Sequence, residues 1–273
     1  MMVVKMMSEL EAKLLDVHFE DVAAGNFVIY RYPNIEIHVD IPFDDDPTPN
    51  ECIVSIYNLS QSSISKIKKG INMSVFAGNP SDWGALLEGA VAKVETKFNG
   101  PTKETVITLT DYFNFSAKPT NITFANDTKA STILNRLCSE LGSAPAVLEL
   151  PEDKVYSSGY KVSGTISDAF NEIIADCKAS MYIRRGRIYI RDLKKGDDER
   201  FKLSSETGLI GSPERIETED YKGYNIQCTL QHKISTASII ELDTKNIKGT
   251  FRAKSGRHSF DGSSFITEAL VIE

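Results

Sequence analysis

The residues with which this chain could do chemistry are four histidines, four cysteines, an arginine cluster and 38 carboxylates. His258 and Asp261 stand three apart in a His-Ser-Phe-Asp-Gly run. That spacing could hold a metal ion or relay a proton, and more commonly it fastens a turn by hydrogen bonds. His18, His38 and His232 share no ligand spacing with it, so no metal is expected. Cys52, Cys138, Cys177 and Cys228 are isolated at apolar-face positions. They read as small core residues in a reducing compartment, not as a zinc site or a disulfide framework. Among so many acids some pair falls at glycosidase spacing by chance, so hydrolysis cannot be argued from carboxylates alone. The chain also lacks GxxxxGK, HExxH, GxSxG and paired CxxC. The expectation is a protein that is not an enzyme and takes no cofactor.

Two charge clusters are candidate partner or channel contacts. Arg184, Arg185, Arg187 and Arg191, extended by Lys194 and Lys195, could meet phosphates or an acidic surface, or form a solvated hairpin tip. Only Tyr182 and Tyr189 lie nearby as stacking partners for a single strand. Asp44, Asp45 and Asp46 open a proline-interrupted loop that would repel phosphates if it lined a tube. A net charge of −7 argues against nucleic-acid binding through a generally basic surface. No window approaches the roughly 20 apolar residues that cross a bilayer, and no stretch has the order of a signal peptide. Folding in the cytosol without membrane insertion is the expectation.

These residues must be positioned by strands. Cys52 to Ser60 reads as a strand entering a short helix over 60–69, capped by Ser60 and stopped by Gly70. Ile71 to Gly78 and Asn34 to Ile41 alternate as strands, the latter placing Ile35, Ile37, Val39 and Ile41 on one face. From Lys13 to Tyr32 the pattern is irregular, with Asn26 to Tyr30 as one strand. Leu86 to Phe98 and Thr102 to Asp111 form a hairpin about Asn99-Gly100-Pro101. A first β domain over 1–118 follows.

The pattern changes period over 119–200. Helices are expected over about 128–141, with Asp127 as N-cap, and 166–178, capped by Thr165 or Ser167. Both would pack on a hairpin, 181–191, turning at Arg185-Gly186, with Tyr182, Ile188 and Ile190 as its apolar contributors. Residues 201–273 alternate again, as a second β domain of four or five strands. The fold class expected is α+β and predominantly β: two antiparallel barrel or sandwich domains flanking an α+β insert.

The run Ile56-Tyr57-Asn58-Leu59-Ser60 through Gly70, followed by LLEGAVAKVE and TVITLTD, resembles the baseplate hub proteins of phage tails and phage-tail-like particles, with the late control protein D group. Gly208, Leu209, Gly211 and Pro213 leading to Gly223, then Gly249-Thr250-Phe251 and His258 with Asp261, extend the likeness from about residue 34 to the end. The resemblance implies two tail-tube-like domains and a homotrimer, six quasi-equivalent modules matched to a tail tube protein hexamer, with a central channel. It further implies a central spike protein, baseplate wedge or LysM-type tail proteins and the tape measure protein as partners, and no specific nucleic acid. Assembly would take place in the host bacterial cytoplasm, before the protein joins a phage tail or a released tail-like bacteriocin. The rival readings are a tail-associated peptidoglycan hydrolase and a nucleic-acid module using the Arg184–Arg191 hairpin.

Overall fold

Alternating apolar and polar residues decide most of the chain, and the result is predominantly β, as expected. The computed structural model describes residues 13–21, 24–110, 121–196 and 198–273. The first strands are β1 (Leu14–Asp21), β2 (Asn26–Tyr32), β3 (Ile37–Phe43), β4 (Glu51–Tyr57), β5 (Asn72–Asn79), β6 (Asp82–Asn99) and β7 (Thr102–Thr110), with helix α1 (Gln61–Ile64) after β4. The middle holds β8 (Thr123–Phe124), β9 (Thr128–Lys129), α2 (Ala130–Glu140), β10 (Val147–Glu149), β11 (Val155–Tyr156), β12 (Tyr160–Lys161), α3 (Ile166–Asp176), β13 (Ser180–Arg184) and β14 (Arg187–Arg191). The chain ends with β15 (Arg200–Leu203), β16 (Leu209–Glu217), β17 (Lys222–Thr229), β18 (Ile239–Asp243), β19 (Lys248–Phe260) and β20 (Phe265–Ile272).

Two compact units result. The larger takes 13–44, 50–110 and 198–273, so strands from both ends of the chain share one sheet in the order β16-β17-β20-β19-β3-β4-β7-β6-β5-β1-β2. The short strand β18 joins β19, and β15 joins β18 in parallel. The link is β19. Its first half pairs with β18 and carries Phe251 and Ala253 into one core, while its second half pairs with β3 and carries Phe260 into another. A register shift between Ala253 and Ser255 changes the inward phase from odd to even residues, which is what a bulge does to a strand of period two. The first core gathers Leu15, Val17, Phe19, Ile37, Val54, Ile56, Ile107 and Leu109; the second gathers Ile226, Cys228, Ile240, Leu242 and Val271.

Two local expectations change within this unit. The stretch from Lys13 yields a strand, β1, with Leu15, Val17 and Phe19 inward; Asp16, on the opposite face, is buried because Arg31 Nε binds its Oδ1 at 2.8 Å. The helix expected over 60–69 stops at Ile64. Its serines bond locally instead, Ser65 Oγ donating to the Ser62 carbonyl at 2.9 Å, which is how serine competes with helix continuation.

The smaller unit takes 45–49 and 121–196. Helix α2 buries Ala130, Ile133, Leu134, Leu137 and Cys138, and α3 buries Ile166, Ala169, Phe170, Ile173 and Ile174. They enclose a core with Met181, Ile183, Ile188 and Ile190 of the sheet β10-β14-β13. Tyr182 is buried on the opposite face, stacked on Tyr189 at 5.1 Å, so its alternation partners Met181 and Ile183 supply the apolar contacts. Asp127 does not cap α2. It adopts φ 62, and Asp153 accepts from the Ser131 backbone N–H at 2.9 Å in its stead. Thr165 caps α3 in a reciprocal box with Asp168.

Candidate functional site

The residues singled out in the sequence divide into those that shape the backbone and those that present chemistry. Ile56 and Leu59 are core. Asn58 takes φ 56, donates its backbone N–H to the Lys103 carbonyl at 2.6 Å and accepts Lys103 N–H on Oδ1 at 3.0 Å, tying β4 to the β6–β7 hairpin. Ser60 caps α1 by accepting from Ser63 N–H, and Gly70, at φ 88, donates to the Val91 carbonyl at 2.7 Å. Gly208 ends a 3-10 turn at φ 103, Leu209 opens β16, and Gly211 to Pro213 occupy its bulge. Gly223 is needed for close approach: a β-carbon there would sit 1.9 Å from the Val271 carbonyl oxygen.

Tyr57 belongs to a polar row on the sheet, its hydroxyl 3.2 Å from His38 Nδ1 while His38 Nε2 meets Glu36 at 2.8 Å. Burial first, then Glu104 and Glu36, push the Tyr57 pKa up. A phenol so held is a poor nucleophile.

His258 and Asp261 do not meet in a shared site. His258 is fully buried; Nδ1 lies 2.8 Å from Thr267 Oγ1, which accepts the Gln231 backbone N–H at 2.9 Å, and the ring also bonds the Ile234 backbone. Burial lowers its pKa to about 3, so the imidazole is a neutral rivet holding the 231–234 loop on β19 and β20. Asp261 accepts from Ser263 and Ser264 N–H at 3.0 and 2.7 Å, an Asx turn whose donors hold its carboxyl well below the usual range. Beside the rivet, Asp82 of β6 meets His232, Lys233 and Gln231 at 3.0, 2.7 and 2.9 Å. Burial opposes its ionisation, but the hydrogen bonds from Lys233, Gln231 and His232 prevail and its pKa falls to about 2. No local pattern points to this lock. The 150-residue separation of its members hides it.

The arginines also separate. Arg185 and Gly186 form the turn, at φ 49 and 68, with Arg185 and Arg187 exposed and Arg184 half-buried. Arg191 is buried and donates to Tyr182 Oη at 3.1 and 2.9 Å, so it is part of the hairpin's interior. The three aspartates have separate settings: the Asp44 carbonyl accepts from Thr236 Oγ1 at 3.0 Å, Asp45 meets Ser180 Oγ at 3.4 Å, and Asp46 caps Thr48 N–H at 2.7 Å. Among the described residues no group of three His, Cys, Asp or Glu is placed to hold a metal, and no helix is long and apolar enough to cross a membrane.

What remains as site geometry is surface relief on the larger unit. An open, mostly polar cleft of about 720 Å³ runs between the bulge of β16 and the end of β3, lined by Phe43, Ile210, Ser212, Glu214, Arg257 and Glu268 among others. Large side chains stand exposed on the end strand β2, Phe27 at 62% and Ile29 at 50%.

No protein-family model matches the sequence, and neither does any curated protein. Solved structures do. A tail protein from Neisseria meningitidis MC58 superposes with a TM-score of 0.68 at 9% identity, covering 96% of this chain and 97% of that one. The 43 kDa tail protein of prophage MuSo2 from Shewanella oneidensis gives 0.68 at 8%, over 96% and 97%. An E. coli type VI secretion component, described as structurally similar to the bacteriophage T4 tail proteins gp27 and gp5, gives 0.68 at 8%, over 87% and 73%. At such identities the likeness is one of fold: this chain has a fold found in tail and type VI secretion proteins.

Proposed function

We propose that this chain is the structural baseplate hub of a phage tail or phage-tail-like particle, a trimer joining the tail tube to the central spike. The observation that carries the reading is the fold likeness to tail proteins over nearly the whole of both chains, in agreement with the sequence resemblance to hub proteins. In this reading residues 1–118 and 201–273 supply two tube-like modules per chain, and 119–200 is an α+β insert between them in the sequence. Three chains then present six modules to a hexameric tube ring. The signature residues Ile56 to Ser60, Gly70, Gly208, Leu209, Gly211, Pro213 and Gly223 shape the backbone of the modules, and Asp44 to Asp46 with Arg184, Arg185 and Arg187 are partner or channel contacts. The work of such a protein is mechanical and needs no reacting group.

The experiment is a pulldown of the tagged chain from its native producer after mild crosslinking, with subunit ratios measured by mass spectrometry. Equal amounts of hub and spike chains, with about two tube subunits per hub in the ring they contact, are expected. A chain recovered alone, or with soluble metabolic proteins only, would overturn the reading.

A further inference from the structure

Between β17 and β18 the chain is irregular and yet buried. Gln231 and His232 are 9% exposed, and Ile234, Thr236, Ala237 and Ser238 are almost wholly inaccessible. Loops usually run over the surface, because a buried one must find a partner for each of its polar groups. Here the partners divide at Ala237. Its N–H donates to the Ala253 carbonyl at 2.8 Å, and Arg252, itself 2.8 Å from Asp198, donates to the Ala237 carbonyl at 3.0 Å. Ahead of it, Thr236 Oγ1 reaches the Asp44 carbonyl, and among the described residues the polar ties of 231–234 to the strands end on two points. One is the Asp82 carboxylate of β6, and the other is the His258–Thr267 pair of β19 and β20.

Both points hold the loop in one protonation state. Asp82 must be ionised to take its three donors, one from each of Gln231, His232 and Lys233, at full strength. His258 must be neutral. The Ile234 N–H is given to the Gln231 carbonyl at 3.1 Å, so the bond of the ring to Ile234 is a donation to its carbonyl. The neutral ring then accepts on Nδ1 from the Thr267 hydroxyl, whose oxygen accepts from Gln231 N–H. A proton on Nδ1 would turn that hydroxyl away and leave a charge in a buried place. Among the described residues no carboxylate pairs with the ring; Phe43 lies 5.1 Å from it, and His232 is the titratable group that faces it from the loop.

The closed loop also stores cost. Ala237 stands at φ 68, in the left-handed region that a side chain disfavours. The His232 ring lies against Gly84, where a β-carbon would come within 2.1 Å of Nδ1, and that buried nitrogen has no partner among the described residues. Lifting the loop gives it water.

We propose that residues 231–236 are an acid-released latch: protons on His258 and Asp82 free the loop from β6, β19 and β20, with Ala237 as its pivot, while those strands stay paired. The proposal does not rest on the hub reading. His258 acts first, because the open loop hands its ring to water, where it takes a proton below about pH 6.5. Asp82 lets go in a lower window.

The test is hydrogen exchange of the full chain, read by mass spectrometry between pH 7 and pH 5, with each rate divided by that of the unfolded chain at the same pH. Amides of 231–236 are expected to open about tenfold more per pH unit below about 6.5, with β17, β19 and β20 as protected at pH 5 as at pH 7. His258→Gln keeps a donor and an acceptor in place of the ring and removes the titration, so its loop is expected to lose the slope. Asp82→Asn is expected to open the loop by about tenfold or more already at pH 7, with the slope retained. Circular dichroism at pH 7 checks the fold of both variants. Strands that lose protection together with the loop in the wild type would mean acid unfolding of the whole unit and overturn the latch. A loop equally protected at both pH values, or a slope that survives in His258→Gln, would overturn it too. None of these results bears on the hub reading.

Discussion

At the scale of residues, the groups that looked chemical are mostly fasteners. His258 has its pKa lowered to about 3 by burial, against about 6.5 when unfolded, so on acidification the unfolded chain takes up the proton first. Its contribution to stability is therefore intact above pH 6.5 and is lost as pH falls toward 3, at about 1.4 kcal/mol per pH unit. Urea unfolding between pH 7 and 4 should show this slope in the wild type and a shallower one in His258→Gln, whatever the carboxylates contribute to both. Asp82 acts in a lower window: its stabilisation is present above its unfolded pKa of about 4 and disappears toward pH 2. The arginines give a second contrast. Arg191→Ala, which strips two charge-assisted bonds from a buried tyrosine, should cost about 1.5–3 kcal/mol, while Arg185→Ala with Arg187→Ala should stay within about 0.5 kcal/mol. Equal costs in denaturant titrations would refute the division of the cluster. Sequence spacing groups these four arginines and could not divide them, since Arg191 is buried against Tyr182, one strand away. His258 and Asp261 illustrate the same limit: three residues apart in sequence, they answer to Thr267 and to Ser263 and Ser264, respectively.

At the scale of elements, periodicity was legible wherever one face is wet. The expected strand from Asn34, the hairpin about Asn99-Gly100-Pro101 and the two amphipathic helices appear with ends moved by a few residues. What was not legible depends on partners distant in sequence. β1 hides behind an acid that only Arg31 makes acceptable in a buried place, and α1 is shortened by serines bonding to their own turn. The bulge in β19 leaves no clear local signature, although it allows one strand to serve two cores. Helix α3 offers a direct test of element-level reasoning. Thr165 Oγ1 accepts from Asp168 N–H at 3.1 Å while Asp168 accepts from Thr165 N–H at 2.9 Å, so Thr165→Ala should lower stability by about 0.5–2 kcal/mol. A change below the resolution of thermal unfolding would mean that tertiary packing alone fixes the start of the helix.

At the scale of the molecule, sequence and structure meet on a β-rich chain whose fold is shared with tail and type VI secretion proteins at 8–9% identity. Such a likeness survives because alternation, a few glycine-dependent turns and close approaches such as Gly223 specify the sheet, while most side chains are free to vary. The placement of β19 between strands from both ends of the chain is the feature least available to sequence reasoning, since alternation sets which face a residue takes but not which strand lies alongside. The hub reading makes a claim about position: one ring of this protein at the junction of tube and spike. The most direct measurement is electron microscopy of particles from the native producer, with the chain carrying a tag bound by a gold-labelled antibody. Label at one end of each tube, where the spike attaches, is the predicted result; label distributed along the tube, or absent from particles that are otherwise complete, would contradict it.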